Sequence, residues 1–255
     1  VSRPASLQIL KEIDRLIAVM KPAGLATIPG RDETDSILQL LAAQLNLPCS
    51  GEVDPRVRVV HRLDKQTSGV LLMATTIEAQ RHLSHQFQNN KVLKEYWAIC
   101  VGQPAQREGE IDAPLCANPG DPKRMMISES RGRPARTAWK IEQSFGDYHL
   151  VKAWPKTGKT HQIRVHLKAV GLPLAVDPLY HPVRGPAEAG LFLSQFKRNY
   201  KPNAMGQERP LIDRLTLHAF MIRFEDMAGL TVEITAEPPK DFRATINQLS
   251  KFGHH

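Results

Sequence analysis

Three polar clusters sit where the flanking sequence is apolar, and their residue types could carry acid, nucleophilic or phosphate chemistry. In the first, His61-Arg62-Leu63-Asp64 lies between the apolar runs 57–60 and 69–74, where unpaired charge is expensive. Taken alone, such a tetrad is more often an ordinary polar loop joining two strands. The second, Lys94-Glu95-Tyr96-Trp97-Ala98, sets a phenol in a strand, where packing is its commonest use. The third is Thr157-Gly158-Lys159-Thr160-His161-Gln162-Ile163-Arg164-Val165-His166-Leu167. Its Gly-Lys-Thr lacks the glycine that a phosphate loop needs five residues before Gly158, because Ala153 stands there. A nucleoside triphosphatase of that type is excluded.

The elements that must position these clusters follow from periodicity and punctuation. Residues 13–20 read as a strand ending at Lys21-Pro22-Ala23-Gly24, and 35–45 as an amphipathic helix. Strands at 57–60 and 69–74 bracket the first cluster. A capping box at Thr75-Thr76-Ile77-Glu78 opens a helix to about Asn89. Strands follow at 94–101, 138–143 and 149–153, the last two paired. Residues 119–136 form an exposed basic loop or hairpin. A helix over 160–170 takes Thr160 as its N-cap and ends at Gly171. Residues 181–213 read as a surface insertion, 215–224 and 230–236 as strands, and 241–251 as a closing helix. Irregular mixing of strands and helices favours an α+β fold, with a central, largely antiparallel or mixed sheet flanked by helices and loops.

Composition narrows the classes. The formal charge of +8 and a pI near 9.5 favour a polyanionic partner. The apolar runs are too short to span a bilayer, and the N-terminus lacks a signal-peptide pattern, so the expectation is a cytoplasmic protein without a membrane partner. Cys49, Cys100 and Cys116 form no C-x-x-C pair, which argues against a disulfide framework or a zinc finger.

The three clusters together are far more specific than any one of them. The run from Val59 through His61-Arg62-Leu63-Asp64-Lys65-Gln66-Thr67-Ser68-Gly69 to Leu72 resembles the signature of the RluA-type pseudouridine synthases. Lys94-Glu95-Tyr96-Trp97-Ala98 and Gly158-Lys159-Thr160-His161-Gln162-Ile163-Arg164-Val165-His166 resemble that family's second and third blocks. Further matches in the family's order are Lys21-Pro22-Ala23-Gly24-Leu25, Gly171-Leu172-Pro173-Leu174 and Leu215-Thr216-Leu217-His218-Ala219. Two departures occur: Val176 takes a glycine position before Asp177, and His181 takes another after Tyr180.

The resemblance implies the pseudouridine synthase catalytic fold and an isomerisation of uridine that needs no cofactor and no metal. It implies Asp64 as the catalytic carboxylate, Arg164 as the guanidinium that keeps it ionised, and Tyr96 as the ring that stacks on uracil. Arg62 would support the flipped base, His61 would order its loop, and Lys65 would meet a phosphate. Lys123, Arg124, Arg131 and Arg133 would grip the backbone of structured RNA, a tRNA or rRNA stem-loop, and Arg184, Lys197, Arg198 and Lys201 could add to that grip.

The implied organisation is an N-terminal extension of residues 1–12, one catalytic domain over 13–251, and a tail of 252–255 in which His254 and His255 read as a tag remnant. No separate S4-like module and a monomeric state are the expectations. A metal hydrolase using His61, Asp64, His161, His166 or Asp177 fits less well, because His161 and His166 lie about 500° apart on a helix with no acid between them. An RNA-binding or RNA-folding protein that keeps the fold without the chemistry is the stronger rival.

Overall fold

The computed structural model describes residues 6–30, 35–181, 190–198, 200–201 and 208–253. In chain order the first elements are β1 (Ile9–Ile13), β2 (Leu16–Lys21), α1 (Ile37–Leu45), β3 (Arg58–Val59), β4 (Ser68–Ala74), α2 (Ile77–Gln88) and β5 (Leu93–Val101). Next come β6 (Glu108–Asp112), β7 (Leu115–Asn118), β8 (Asp121–Ile127), β9 (Arg136–Phe145), β10 (Tyr148–Pro155) and α3 (Gln162–Ala169). The chain closes with β11 (Leu217–Glu225), β12 (Thr231–Thr235) and α4 (Lys240–Phe252). The class is α+β, as the sequence suggests. Two compact units emerge, Val1–Glu95 with His218–Glu237, and Tyr96–Leu217 with Pro238–His255.

The first unit is built around β4. Every residue of Ser68–Ala74 is buried, so this strand is covered on both faces and its sequence is a continuous apolar run rather than an alternation. Antiparallel β2 lies along one edge, and on the other edge β11 pairs in parallel at the start of β4 while β3 pairs at its end. The sheet is therefore mixed. Gly69 sits opposite Ala219 at φ 127°, and a Cβ there would lie 2.2 Å from the Ala219 carbonyl oxygen, so only glycine permits the two strands to approach.

The N-terminal end differs from the sequence expectation. Ile9–Ile13, read as mostly extension, is a strand paired with β2. Its turn is Asp14-Arg15, both at positive φ (43° and 68°), which gives a two-residue hairpin of the right twist without glycine or asparagine to announce it. The capping box also fails. Thr76, one residue later than expected, caps α2 by accepting from the Ala79 amide at 3.3 Å, and Asp54 accepts from the Ile77 amide. Thr75 turns instead to the Arg15 carbonyl.

In the second unit β5, β10, β9 and β6 form an antiparallel sheet. Side chains alternate between its faces. Ala98, Cys100, Val151 and Ala153 meet Ile163 and Leu167 of α3, while Ile99, Phe145 and Leu150 meet Phe242 and Leu249 of α4. Strand β6 carries too few apolar residues to be noticed in the sequence. The basic stretch is the hairpin β7–β8, which packs Leu115, Met125 and Ile127 beside Val165 and Tyr180.

Helix α3 starts later than expected. His161, not Thr160, is its N-cap, in the left-handed region at φ 54° and without a side-chain cap bond. The insertion is not all surface chain: within it Leu191 and Ile212 bridge to each other and are buried in the α4 core. Arg184, His254 and His255 lie outside the described residues.

Candidate active site

In the first unit Asp64 sits on the loop from β3 to β4, half-buried, between buried Leu63 and exposed Lys65. Both neighbours are held by the segment after β2. Thr27 Oγ1 donates to the Leu63 carbonyl and accepts from the Leu63 amide, each at 3.2 Å. The Lys65 carbonyl accepts from the Gly24 amide at 2.8 Å and from Lys21 Nζ at 2.9 Å. Lys21 is fully buried and also donates to the Pro22 and Leu25 carbonyls at 2.8 and 2.6 Å. A buried ammonium is tolerable only when its donors are satisfied, and here three carbonyl oxygens surround it. Within the loop, the Thr67 amide donates to the Asp64 carbonyl at 3.0 Å. Behind it, the Ser68 hydroxyl meets His218 Nδ1 at 2.9 Å, and His218 Nε2 meets the Ala236 carbonyl at 2.7 Å. The main chain around Asp64 is thus tied down on both sides.

His61 is held within the first unit. Its Nε2 accepts from the Leu72 amide at 2.9 Å and its ring stacks on Phe87 at 4.6 Å. Burial, with the nearby Lys94 charge, lowers its pKa to about 3, so the ring is neutral near pH 7. Desolvation likewise lowers Lys94 to about 8. Arg62 and Lys65 are exposed, as an RNA contact would need.

In the second unit Tyr96 begins the β5 register opposite Ala153, half-buried and packed against the α3 core. Arg164 is buried on α3. Its Nε and Nη2 donate to the two carboxylate oxygens of Asp177 at 2.8 and 2.7 Å, and its guanidinium lies over the Tyr180 ring at 4.9 Å. Asp177 Oδ1 also accepts from the Leu179 and Tyr180 amides at 2.9 and 3.1 Å. The sequence marked Asp177 and Tyr180 as residues of a block that departs from its pattern, and Asp177 besides as a candidate of the metal-hydrolase rival. Nothing in their spacing announces this clamp.

The basic residues divide. Lys123 and Arg124 are exposed on β8, and Arg131 and Arg133 are exposed beyond it, where the Arg133 main chain bridges to Leu115. Arg124 shares charge with Asp121 at 3.1 Å. Arg136, counted with this basic stretch, is instead committed to Glu110 and Asp112 on β6. The two histidines of α3 serve separate purposes: His166 meets Thr137 Oγ1 and the Ala113 carbonyl, whereas His161 Nδ1 meets the Tyr180 hydroxyl at 2.8 Å. Burial lowers the pKa of His166.

Comparison with known proteins adds the following. Residues 15–169 match the family described as RNA pseudouridylate synthase. The ribosomal large subunit pseudouridine synthase D of Nitrosomonas europaea is 42% identical over 174 residues, 68% of this chain and 49% of that protein. An uncharacterized RNA pseudouridine synthase of Chloroflexus aurantiacus is 37% identical over 232 residues, 90% of this chain and 65% of that protein. The chain therefore spans about half to two thirds of the length of these relatives. Among solved structures, human RNA pseudouridylate synthase domain containing 4 superposes with a TM-score of 0.71 at 25% identity, covering 95% of this chain and 93% of that one.

Proposed function

The chain belongs to the RNA pseudouridylate synthase family, and from that premise we propose that it isomerises uridine to pseudouridine in structured RNA. The reaction breaks the N1–C1′ bond, turns the uracil and joins C5 to C1′. The C5 proton leaves and N1 regains one, so neither oxidant nor energy source is called for. Asp64 is the catalytic carboxylate. The observation that supports this reading is the bracing of the main chain at Leu63 and Lys65 by Thr27, Gly24 and Lys21, which limits the freedom of the loop that carries Asp64 before RNA arrives.

In the same reading Tyr96 stacks on the uracil and Arg164 supplies a guanidinium for the reaction, with Asp177 setting its orientation. Arg62 supports the flipped nucleotide, His61 orders the loop, and Lys65 contacts a phosphate. The exposed cations Lys123, Arg124, Arg131 and Arg133 hold the RNA backbone without reading its sequence. Residues 13–251 act as one catalytic domain, monomeric and in the cytoplasm. The names of the bacterial relatives favour large-subunit rRNA over tRNA as the substrate.

The test is tritium release from transcripts carrying [5-³H]uridine, with large-subunit rRNA fragments beside tRNA, the Asp64→Asn variant beside the unaltered protein, and chelator in parallel. Release from rRNA that survives chelator and vanishes in the variant supports the proposal. Tight binding with no release from any RNA selects the non-catalytic RNA-binding rival.

A further inference from the structure

Tyr180 touches both the basic hairpin and the buried guanidinium: its hydroxyl accepts from the Met125 amide on β8 at 2.7 Å and meets His161 Nδ1 at 2.8 Å, while its ring lies under Arg164 at 4.9 Å. Its own amide donates to Asp177, the carboxylate that holds Arg164. A phenol has one proton. Since Met125 already donates to the oxygen, that proton is directed to His161 Nδ1 when the imidazole carries its hydrogen on Nε2. Tyr180 is buried and packs with Leu115, Ala135 and Val165, so it has little freedom to move independently of these groups.

We infer that Tyr180 is a positioning residue that couples the hairpin carrying Lys123 and Arg124 to the orientation of Arg164. Seating RNA phosphates on the hairpin fixes the strand that holds the Tyr180 hydroxyl. The ring in turn limits where the guanidinium can sit. The consequence is that RNA binding and the chemical step are linked through one hydroxyl. This rests on the isomerase reading, in which Arg164 serves the reacting site.

The geometry makes the coupling separable from folding. Tyr180→Phe keeps the ring, its packing and its face toward Arg164, and removes only the hydroxyl that touches β8 and α3. A merely structural hydroxyl would lower stability and leave the kinetic constants of the folded enzyme alone. A coupling hydroxyl lowers kcat while leaving KM in place, because it acts on the reacting arrangement and not on phosphate contacts.

Two readouts are needed, tritium release from the preferred RNA and NMR of the folded protein following exchange of the Arg164 Nε–H and the Met125 amide. With Tyr180→Phe the inference requires kcat to fall at least tenfold with KM within twofold, and both protons to exchange at least tenfold faster. Replacing Lys123 by Ala must then cost at least threefold less in the Tyr180→Phe background than in the unaltered protein. A kcat within twofold of the unaltered enzyme, additive effects of the two substitutions, or unchanged Arg164 Nε–H exchange overturns it. Should Tyr180→Phe fold poorly, His161→Asn takes its place, since Asn tolerates the left-handed backbone and removes the hydroxyl's imidazole partner. The same losses at smaller size support the coupling, and unaltered kcat and exchange overturn it. If the unaltered protein releases no tritium from any RNA, the isomerase reading has failed and the kinetic half of the inference with it. The exchange measurements then decide the mechanical link between hairpin and guanidinium by themselves.

Discussion

Arg164 and Asp177 face each other through two parallel charge-assisted hydrogen bonds, with side chains only 5% and 1% exposed. A buried pair of this kind gains little net stability over an apolar replacement, but losing one member leaves a charge without its partner. Asp177→Ala is expected to destabilise the protein by ~3–5 kcal/mol. Asp177→Asn keeps the shape and breaks the charge match, so it should cost less stability and still lower the single-turnover rate at least tenfold. Thermal unfolding beside tritium release separates the two effects. Full activity of Asp177→Asn would remove Asp177 from the positioning of Arg164.

Lys21 offers a second test, because it is a charged residue whose value is in the carbonyl oxygens it satisfies. Lys21→Met retains the length of the stem and deletes three donors. The oxygens of Pro22 and Leu25 lose this partner, while that of Lys65 keeps the Gly24 amide. At ~1–3 kcal/mol for each of the two carbonyls that lose this donor, a loss of ~2–6 kcal/mol is expected. Urea unfolding should show a lower midpoint with an unchanged slope. Amide exchange at Gly24 and Thr67 should quicken, and the rate of isomerisation should fall with the freedom given to the Asp64 loop.

These two residues show how far the sequence could be read. The Asp64 loop, Tyr96 in its strand and Arg164 on its helix face were legible because each lies in a block whose residue types and order are distinctive. The braces were not. Thr27 is one hydroxyl in a loop, and its reciprocal bonds to Leu63 join positions 36 residues apart. Lys21 looks like a surface cation until three main-chain carbonyls are seen to converge on it. Most strands were found from apolar content, but β1 was left in the N-terminal extension and the strand of β2 was begun at Ile13, because Asp14-Arg15 adopts a tight turn with residues that seldom signal one. Strand β6, Glu-Gly-Glu-Ile-Asp, has one apolar side chain to bury, and it forms because β9 provides a partner. Thr160 looked like a cap, and the helix begins instead on His161, whose strained backbone is secured by the Tyr180 contact.

Acid stability provides a third test. His61 has a folded pKa of about 3, below its ordinary 6.5, so the unfolded chain takes up a proton first as pH falls. The sign follows: stability is present above pH 6.5 and is lost as pH falls toward 3, with a ceiling of about 1.4 kcal/mol per pH unit from this group. Solvent reaching the half-buried ring keeps the measured slope below that ceiling. His61→Gln retains an acceptor for the Leu72 amide and cannot titrate. Chemical denaturation between pH 7 and 5 should show a flatter dependence in that variant. A residual slope will persist, since His166 is shifted in the same direction. An identical slope in the variant and the unaltered protein would mean that His61 titrates freely.

The cations of the hairpin should be distinguishable from those of the reacting site by salt. Lys123 and Arg133 are exposed, and Arg124 spends part of its charge on Asp121. Each phosphate neutralised releases counterions, so log affinity falls with log salt by roughly 0.7 to 0.9 per contact. Lys123→Ala and Arg133→Ala should each weaken RNA binding and reduce the magnitude of that slope by about one contact's worth. Arg124→Ala should do so less, because part of its charge is already spent on Asp121. Arg136 should scarcely count, since Glu110 and Asp112 hold it at the edge of the sheet. Filter binding across a salt series measures all four. Equal slopes for Lys123→Ala and the unaltered protein would place the RNA elsewhere on the molecule, and a large change for Arg136→Ala would place it along the β6 edge.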